Sequence, residues 1–165
     1  MAALTAGATA PNFKLPTMDG KEFSLRDALV RGPVVAAFFK ISCPVCQYAF
    51  PFLERIYNLH AGPKIAIVGV SQNVKKETNA FIKEYGITFP VLLDDTETYP
   101  ASNAYGLTNV PSIFWIAQDG EIEVSSVGWD RKDIEEINRR AAEINGGAVK
   151  PLFYPGEQVA DSRAG

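Results

Sequence analysis

Sulfur and imidazole are scarce in this chain. Two cysteines, Cys43 and Cys46, and one histidine, His60, are all that 165 residues contain. A disulfide-stapled scaffold is thereby excluded, and a four-ligand structural zinc site could not be completed without carboxylates. Long hydrophobic runs are missing too. The longest, Val34 to Phe39, falls far short of the roughly 20 residues a membrane helix needs. No early basic segment leads into a hydrophobic stretch, so no secretory leader is visible. The expectation is therefore a cytoplasmic protein, or a periplasmic or exported one if a leader lies upstream. Nor does charge of one sign dominate: 16 Lys and Arg face 19 Asp and Glu, net −3, which gives no support to nucleic-acid binding and leaves no polybasic patch for a membrane surface. Phosphate-binding glycine loops, a Gly-x-Ser-x-Gly elbow and a metalloprotease helix are likewise absent. What remains is an ordinary globular balance, 47% apolar and 21% charged, at a length that suits one domain.

Strand and helix patterns alternate along that domain. Phe13–Leu15 and Lys21–Phe23 flank a turn at Asp19-Gly20 and predict a short hairpin after a loose stretch over residues 1–12. Ser24 caps a brief helix over Leu25 to Leu29. Val34 to Phe39 is apolar at every position, the pattern of a strand buried on both faces. From Pro44 the period becomes helical, with Ala49, Phe52, Leu53, Ile56 and Leu59 on one side up to Gly62-Pro63. Ile65–Val70 predicts a second buried strand. Lys75–Tyr85 predicts a helix with Ala80, Phe81 and Tyr85 inward and Gly86 as its stop. Phe89–Leu93 predicts a third strand, and Ala101–Tyr105 a helical turn. Ile113–Ile116 and Ile122–Val127 flank Asp119-Gly120 as a hairpin. Asp130 then caps a last helix whose buried stripe is Ile134, Ile137, Ala141 and Ile144. The expectation is one α/β domain with a mixed sheet over residues 1–145, and a pattern-poor tail over 146–165.

Cys43-Pro44-Val45-Cys46 falls between the buried strand and the amphipathic helix. At a helix start the unpaired backbone N–H groups and the dipole stabilise an anion, which favours a thiolate at Cys43. Cys46, one turn further in, is expected to be more buried and less reactive. Two intervening residues let the sulfurs close a small disulfide ring, a division of labour that suits thiol–disulfide exchange. Lys40 offers positive charge nearby. Three blander readings compete: a zinc knuckle short of ligands, a structural disulfide that constrains little chain entropy, and two unrelated core cysteines.

Here a resemblance becomes specific. Val34 to Cys46 resembles the active-site segment of a thioredoxin fold, and Pro51 stands where that family carries a proline inside its active-site helix. Asn109-Val110-Pro111-Ser112 precedes a strand as the family's cis-proline loop does, and the resemblance implies a cis Val110–Pro111 bond. In the family this loop lies against the dithiol and binds partner chain through its backbone. Gly7-Ala8-Thr9-Ala10-Pro11-Asn12-Phe13, then Asp19-Gly20 and Ser24-Leu25, is similar to the opening of the alkyl-hydroperoxide-reductase and thiol-specific-antioxidant superfamily. That superfamily holds peroxiredoxins and TlpA-like thiol–disulfide oxidoreductases. The resemblance implies a central mixed sheet flanked by helices, with an N-terminal hairpin. It implies an enzyme with Cys43 as nucleophile and Cys46 as resolving thiol. Pro44, Val45, Val110 and Pro111 would line the partner site. No cofactor beyond a redox-active Cys43–Cys46 disulfide and no metal is implied. Partners would be protein thiols or disulfides and an upstream electron donor or acceptor.

Departures separate the branches. Aligning a peroxidatic cysteine on Cys46 puts Phe39 where peroxiredoxins have proline and Cys43 where they have threonine, and their arginine is missing around Val110-Pro111-Ser112. A thiol peroxidase using Cys46 is the second reading, and a redox-inert binding module the third. The oxidoreductase reading has departures of its own: Ala37 and Ala49 stand where relatives carry an acid that would move a proton from Cys46. Ser42 replaces the usual tryptophan. Elsewhere, His60 is expected to be structural or exposed, Asp94, Asp95 and Glu97 to be loop acids without metal-site spacing, Trp115 and Trp129 to be core or groove-edge residues, and Lys75-Lys76 and Arg139-Arg140 to be solvated helix faces.

Overall fold

Val34–Phe39 forms strand β3, and its alternate side chains enter two different cores, which is why no polar residue is tolerated along it. The structure, a computed structural model, describes residues 3–165. An N-terminal hairpin, β1 (Lys14–Pro16) and β2 (Glu22–Ser24), leads into α1 (Leu25–Leu29), whose first turn is capped by the Ser24 hydroxyl accepting from Asp27 N–H at 3.3 Å. After β3 come α2 (Pro44–His60), β4 (Ala66–Ser71), α3 (Lys75–Tyr85), β5 (Val91–Leu93) and α4 (Pro100–Ala104). The chain closes with β6 (Ser112–Ile116), β7 (Ile122–Val127), β8 (Trp129–Asp130), α5 (Arg131–Ile144) and β9 (Ser162–Arg163).

The central sheet has the order β5-β4-β3-β6-β7. Strands β3, β4 and β5 run parallel, β6 runs antiparallel to β3, and β7 pairs antiparallel with β6 at the edge. On one face Val35, Ala37 and Phe39 pack with α2, with Phe81 of α3 and with Ile134, Ile137 and Ala141 of α5. On the other, Val34, Ala36 and Phe38 meet Phe13, Leu15, Leu25 and Tyr105 from the N-terminal segment, α1 and α4. This is the expected mixed sheet, flanked by helices and preceded by a hairpin.

Four local expectations are corrected. Ala80 and Ile144 are exposed, not part of the buried stripes. Ile144 closes α5, where the end of α2 is met instead by the neighbouring Asn145, whose Nδ2 donates to His60 O at 2.9 Å. The described part of the N-terminal stretch is tied down: Gly7 N–H donates to Ile122 O, Ile122 N–H to Ala8 O, and Leu4 N–H to Tyr105 O. Arg140 is half-buried and bridges Glu136 and, across on β7, Glu123 at 2.7 Å, so it is no free solvated face. The segment 146–165 folds back over the body, with Leu152 buried among the α2/α5 core residues.

Candidate active site

Strand β3 delivers the chain to the end of the parallel strands, where α2 begins. The connecting turn is pinned from two sides: Ile41 N–H donates to Asn73 Oδ1 at 3.0 Å, and Gln47 Nε2 donates to Ile41 O at 2.9 Å. Cys43 is the N-cap of α2, with extended backbone (φ −84°, ψ 115°), and Pro44 occupies the first helical position, where a missing N–H costs nothing and the fixed φ already suits a helix. The Cys43 sulfur takes the place of a capping oxygen: Cys46 N–H donates to Sγ at 3.2 Å. This interaction aims the partial positive charge of the helix N-terminus at that sulfur and favours negative charge on it.

Cys46 lies one turn further along the same face, fully buried beneath Cys43. Burial pushes its thiol well up from the ordinary value of 9.0, the neighbouring Cys43 adds to the shift, and the Lys40 backbone N–H offsets only part of it. Both cysteines are free thiols in this structure. Cys46 shares its core with Ala37, Ala49 and Phe50, and the buried carboxylate of this helix, Glu54, is spent on Thr88 N–H (2.8 Å) and the Thr88 hydroxyl (2.5 Å).

The second component arrives from the loop before β6. The Val110–Pro111 bond is cis. Ser112 Oγ donates to Asn109 O at 2.7 Å and Gly128 N–H donates to Pro111 O at 2.8 Å, so both ends of the loop are held. Val110 O thereby faces the dithiol and accepts from the Cys43 S–H at 3.4 Å. Cys43, Cys46, Val110 and Pro111 are thus brought to one place. Pro44 is exposed at the helix tip, and Val45 packs half-buried against the core beside the cysteines. Lys40 is exposed, yet it lines the same groove as Cys43.

That groove, about 360 Å³, is completed by Gln72, Leu107, Thr108, Asn109 and Gly165. Of these, sequence reasoning had pointed only to Asn109, as the first residue of the loop at Val110-Pro111. Gln72 was findable, because it follows β4 at the carboxyl edge of the parallel strands, where open α/β sheets place their sites. Gly165 carried no sequence signal. The remaining candidates separate cleanly. His60 is buried with Nε2 against Asn138 Oδ1 at 2.8 Å, a structural role. Asp94 is buried and accepts from Ala101 N–H, Ser102 N–H and Ser102 Oγ. Trp115 and Trp129 belong to the core, Trp129 meeting Tyr48 edge-on at 5.1 Å. Among the described residues no cluster of His, Cys, Asp or Glu has the arrangement of a metal site, and no helix is long and apolar enough to cross a membrane.

Residues 6–125 match the AhpC/TSA family. The chain is 30% identical over 134 residues to the thiol-disulfide oxidoreductase ResA of Halalkalibacterium halodurans, covering 80% of this chain and 74% of the relative. It is 31% identical over 121 residues to ResA of Bacillus subtilis, covering 73% and 66%. Among solved structures, the thioredoxin domain of a thiol-disulfide oxidoreductase from Bacteroides vulgatus superposes with a TM-score of 0.74 at 21% identity, over 84% of this chain and 98% of that one. The fold that these share is the one built above from the sheet order and the position of α2.

Proposed function

The chain belongs to the AhpC/TSA family, and on that premise we propose that it is a thiol–disulfide oxidoreductase in which Cys43 is the nucleophile and Cys46 the resolving thiol. One observation carries the reading. The half-exposed Cys43 sulfur sits at the helix N-cap, accepting from Cys46 N–H and facing Val110 O, while Cys46 lies buried and hard to ionise. Exposure and charge stabilisation mark the attacking sulfur, and burial marks the one that waits.

In the oxidising half-cycle the Cys43 thiolate attacks one sulfur of a partner disulfide. An S–S bond forms between them and the partner's other sulfur leaves as a thiolate. Cys46 then attacks Cys43 Sγ, the mixed disulfide breaks, and the partner's second sulfur leaves. Two electrons pass to the partner, the Cys46 proton ends on a departing sulfur or on water, and Cys43–Cys46 becomes a disulfide. The reverse sequence oxidises a partner dithiol. The disulfide itself is the electron carrier, with no further cofactor. Pro44 and Val45 space the sulfurs, Val110 and Pro111 form the loop that lines the partner side of Cys43, and Lys40 adds positive charge at the groove. The partners are protein cysteines, with an upstream donor or acceptor that resets the pair. The direction of electron flow follows from the pair's potential against the poise of its compartment, cytoplasm or an exported space, and fractionation of cells carrying the native gene locates that compartment.

Peroxidase chemistry at Cys46 runs against the geometry: a peroxidatic sulfur must be an accessible thiolate, whereas Cys46 is buried and its thiol is pushed up. The deciding measurement is the redox state of the pair across graded glutathione and dithiothreitol buffers, read by alkylation mass shift. An intramolecular disulfide with a defined midpoint is expected. A midpoint near or below about −250 mV indicates a reductant, and one near −120 to −180 mV an oxidant or isomerase. Absence of a Cys43–Cys46 disulfide at every poise would overturn the proposal and leave a redox-inert binding module.

A further inference from the structure

Residues 146–165 follow the thioredoxin-like domain expected over residues 1–145, yet they return to the redox groove. The segment is fastened along its length. Leu152 is buried in the α2/α5 core. Glu157 forms a two-pronged pair with Arg55 at 2.7 Å on each prong. Trp129 Nε1 donates to Ala160 O at 2.6 Å, Ala160 N–H donates to the Tyr48 hydroxyl at 3.0 Å, and Arg131 N–H donates to Asp161 O at 2.9 Å. Strand β9 then pairs antiparallel with β8, Trp129 opposite Arg163 and Asp130 opposite Ser162, and the Arg163 guanidinium lies 4.2 Å over the Tyr48 ring.

This path brings the main chain of residues 163–165 onto the cis-proline loop. Asn109 Nδ2 donates to Gly165 O at 3.1 Å. A side chain on Gly128 would meet Arg163 O at 2.5 Å and Gly165 N at 2.9 Å. One on Gly165 would run into the Val110 carbonyl, 3.1 Å from its carbon, and would lie 3.3 Å from the Gly128 Cα. Two glycines are therefore what allows the tail to lie this close. The Val110 carbonyl that takes the Cys43 S–H is covered on its other side by Gly165. A partner chain adding as a strand along Val110 needs its own N–H where Gly165 now sits.

We propose that residues 162–165 are a built-in wall of the groove that selects among partners. The wall keeps an extended strand off the Val110 edge, so Cys43 reacts with cysteines presented on a short side chain or loop tip, entering past Lys40, Gln72, Leu107 and Thr108. The inference rests on the exchange reading for its biological meaning, but its steric content does not.

Alkylation of Cys43 tests that content, because it needs no disulfide exchange, and the buried Cys46 contributes little to it. Two reagents are compared on reduced protein: N-ethylmaleimide, and a ten-residue peptide carrying a maleimide on its central side chain. The proteins are the full chain, a chain ending at Asp161, and Gly165→Ala. The truncation leaves the Leu152, Glu157 and Ala160 fastenings in place, and thermal melts confirm that each variant is folded. Truncation is expected to raise the peptide rate relative to N-ethylmaleimide about tenfold, and Gly165→Ala to move the ratio the same way by less. An unchanged ratio in both folded variants, or equal gains for both reagents, would overturn the wall. Should the redox titration above find no disulfide, the exchange reading fails while the ratio still decides this one.

Discussion

Cys46 carries a signature that stability measurements can read. Its folded thiol is held protonated by burial beyond its ordinary value of 9.0, whereas in the unfolded chain it ionises normally. Below pH 9 both states hold the proton and the full contribution is present. As pH rises further the unfolded state sheds its proton first and is stabilised, so folding stability falls until the folded thiol ionises as well. At 1.36 kcal/mol per pH unit, the loss assignable to this group is about 0.4 kcal/mol at pH 9, about 1.4 at pH 10 and about 2.7 at pH 11. Cys46→Ala removes the titration and also deletes a buried sulfur, at a cost of about 1–2 kcal/mol at pH 7. The two proteins should therefore converge near pH 10 and cross above it. Tyr105, also pushed up by burial, is common to both and cancels in the difference. Urea unfolding under a phosphine reductant, followed by the fluorescence of the buried Trp115 and Trp129, supplies the comparison from pH 7 to 10.5. A stability gap that stays constant across that range would refute the reasoning, because the folded Cys46 would then be ionising as an ordinary thiol.

Glu54→Ala leaves Thr88 N–H, the Thr88 hydroxyl and Phe89 N–H without their acceptor; a loss of about 2–3 kcal/mol is expected in urea unfolding, partly recovered in Glu54→Gln, which retains one oxygen. Leu152→Ala empties a buried site at the root of the tail and should cost about 2–4 kcal/mol. Limited proteolysis should then cut within 146–165 while the remainder stays resistant; cleavage no faster than in the unmodified chain would count against the anchor.

What the sequence revealed and what it concealed divide along a physical line. Strand β3 was legible because burial on both faces demands an unbroken apolar run, and the dithiol because a cysteine pair stood at the strand-to-helix junction. The hairpin and the last helix carried turn and cap signals of comparable strength, whereas the cis bond at Val110-Pro111 was expected from the family resemblance. The tail was not legible, since only Leu152 among its fastenings is a deeply buried apolar side chain. Most of the others are main-chain hydrogen bonds and polar pairs with residues far away, such as Glu157 with Arg55 and Ala160 with Trp129, and these leave no periodicity. The N-terminal stretch was missed for the same reason, since Gly7 and Ala8 are tied in by backbone hydrogen bonds and the side chains that touch the core there are mostly short, such as Ala8 and Ala10. Asn73, which pins the turn before Cys43, is a side chain acting through one distant N–H. The stripe of α5 was extended one turn too far: periodicity continues to Ile144, but at the helix end the contact to α2 is made by the Asn145 side chain on His60 O.

The two alanines at positions 37 and 49 bear on how the proposed chemistry runs. Both are fully buried in the core that holds Cys46, so the resolving thiol is surrounded by carbon where a carboxylate would otherwise take its proton. The nearest buried carboxylate on the same helix is committed to Thr88 and Phe89. Attack by Cys43 is thus supported by the N-cap geometry, while resolution must wait for a thiol that burial holds neutral. Once a partner's sulfur is bonded to Cys43, Cys43 is no longer the thiol neighbour that adds to the upward push on Cys46. The forming mixed disulfide is therefore itself the event that loosens the Cys46 proton, which can pass to the departing partner sulfur. In the proposed cycle, attack has the N-cap geometry behind it, and resolution draws on the departing partner sulfur as its proton acceptor.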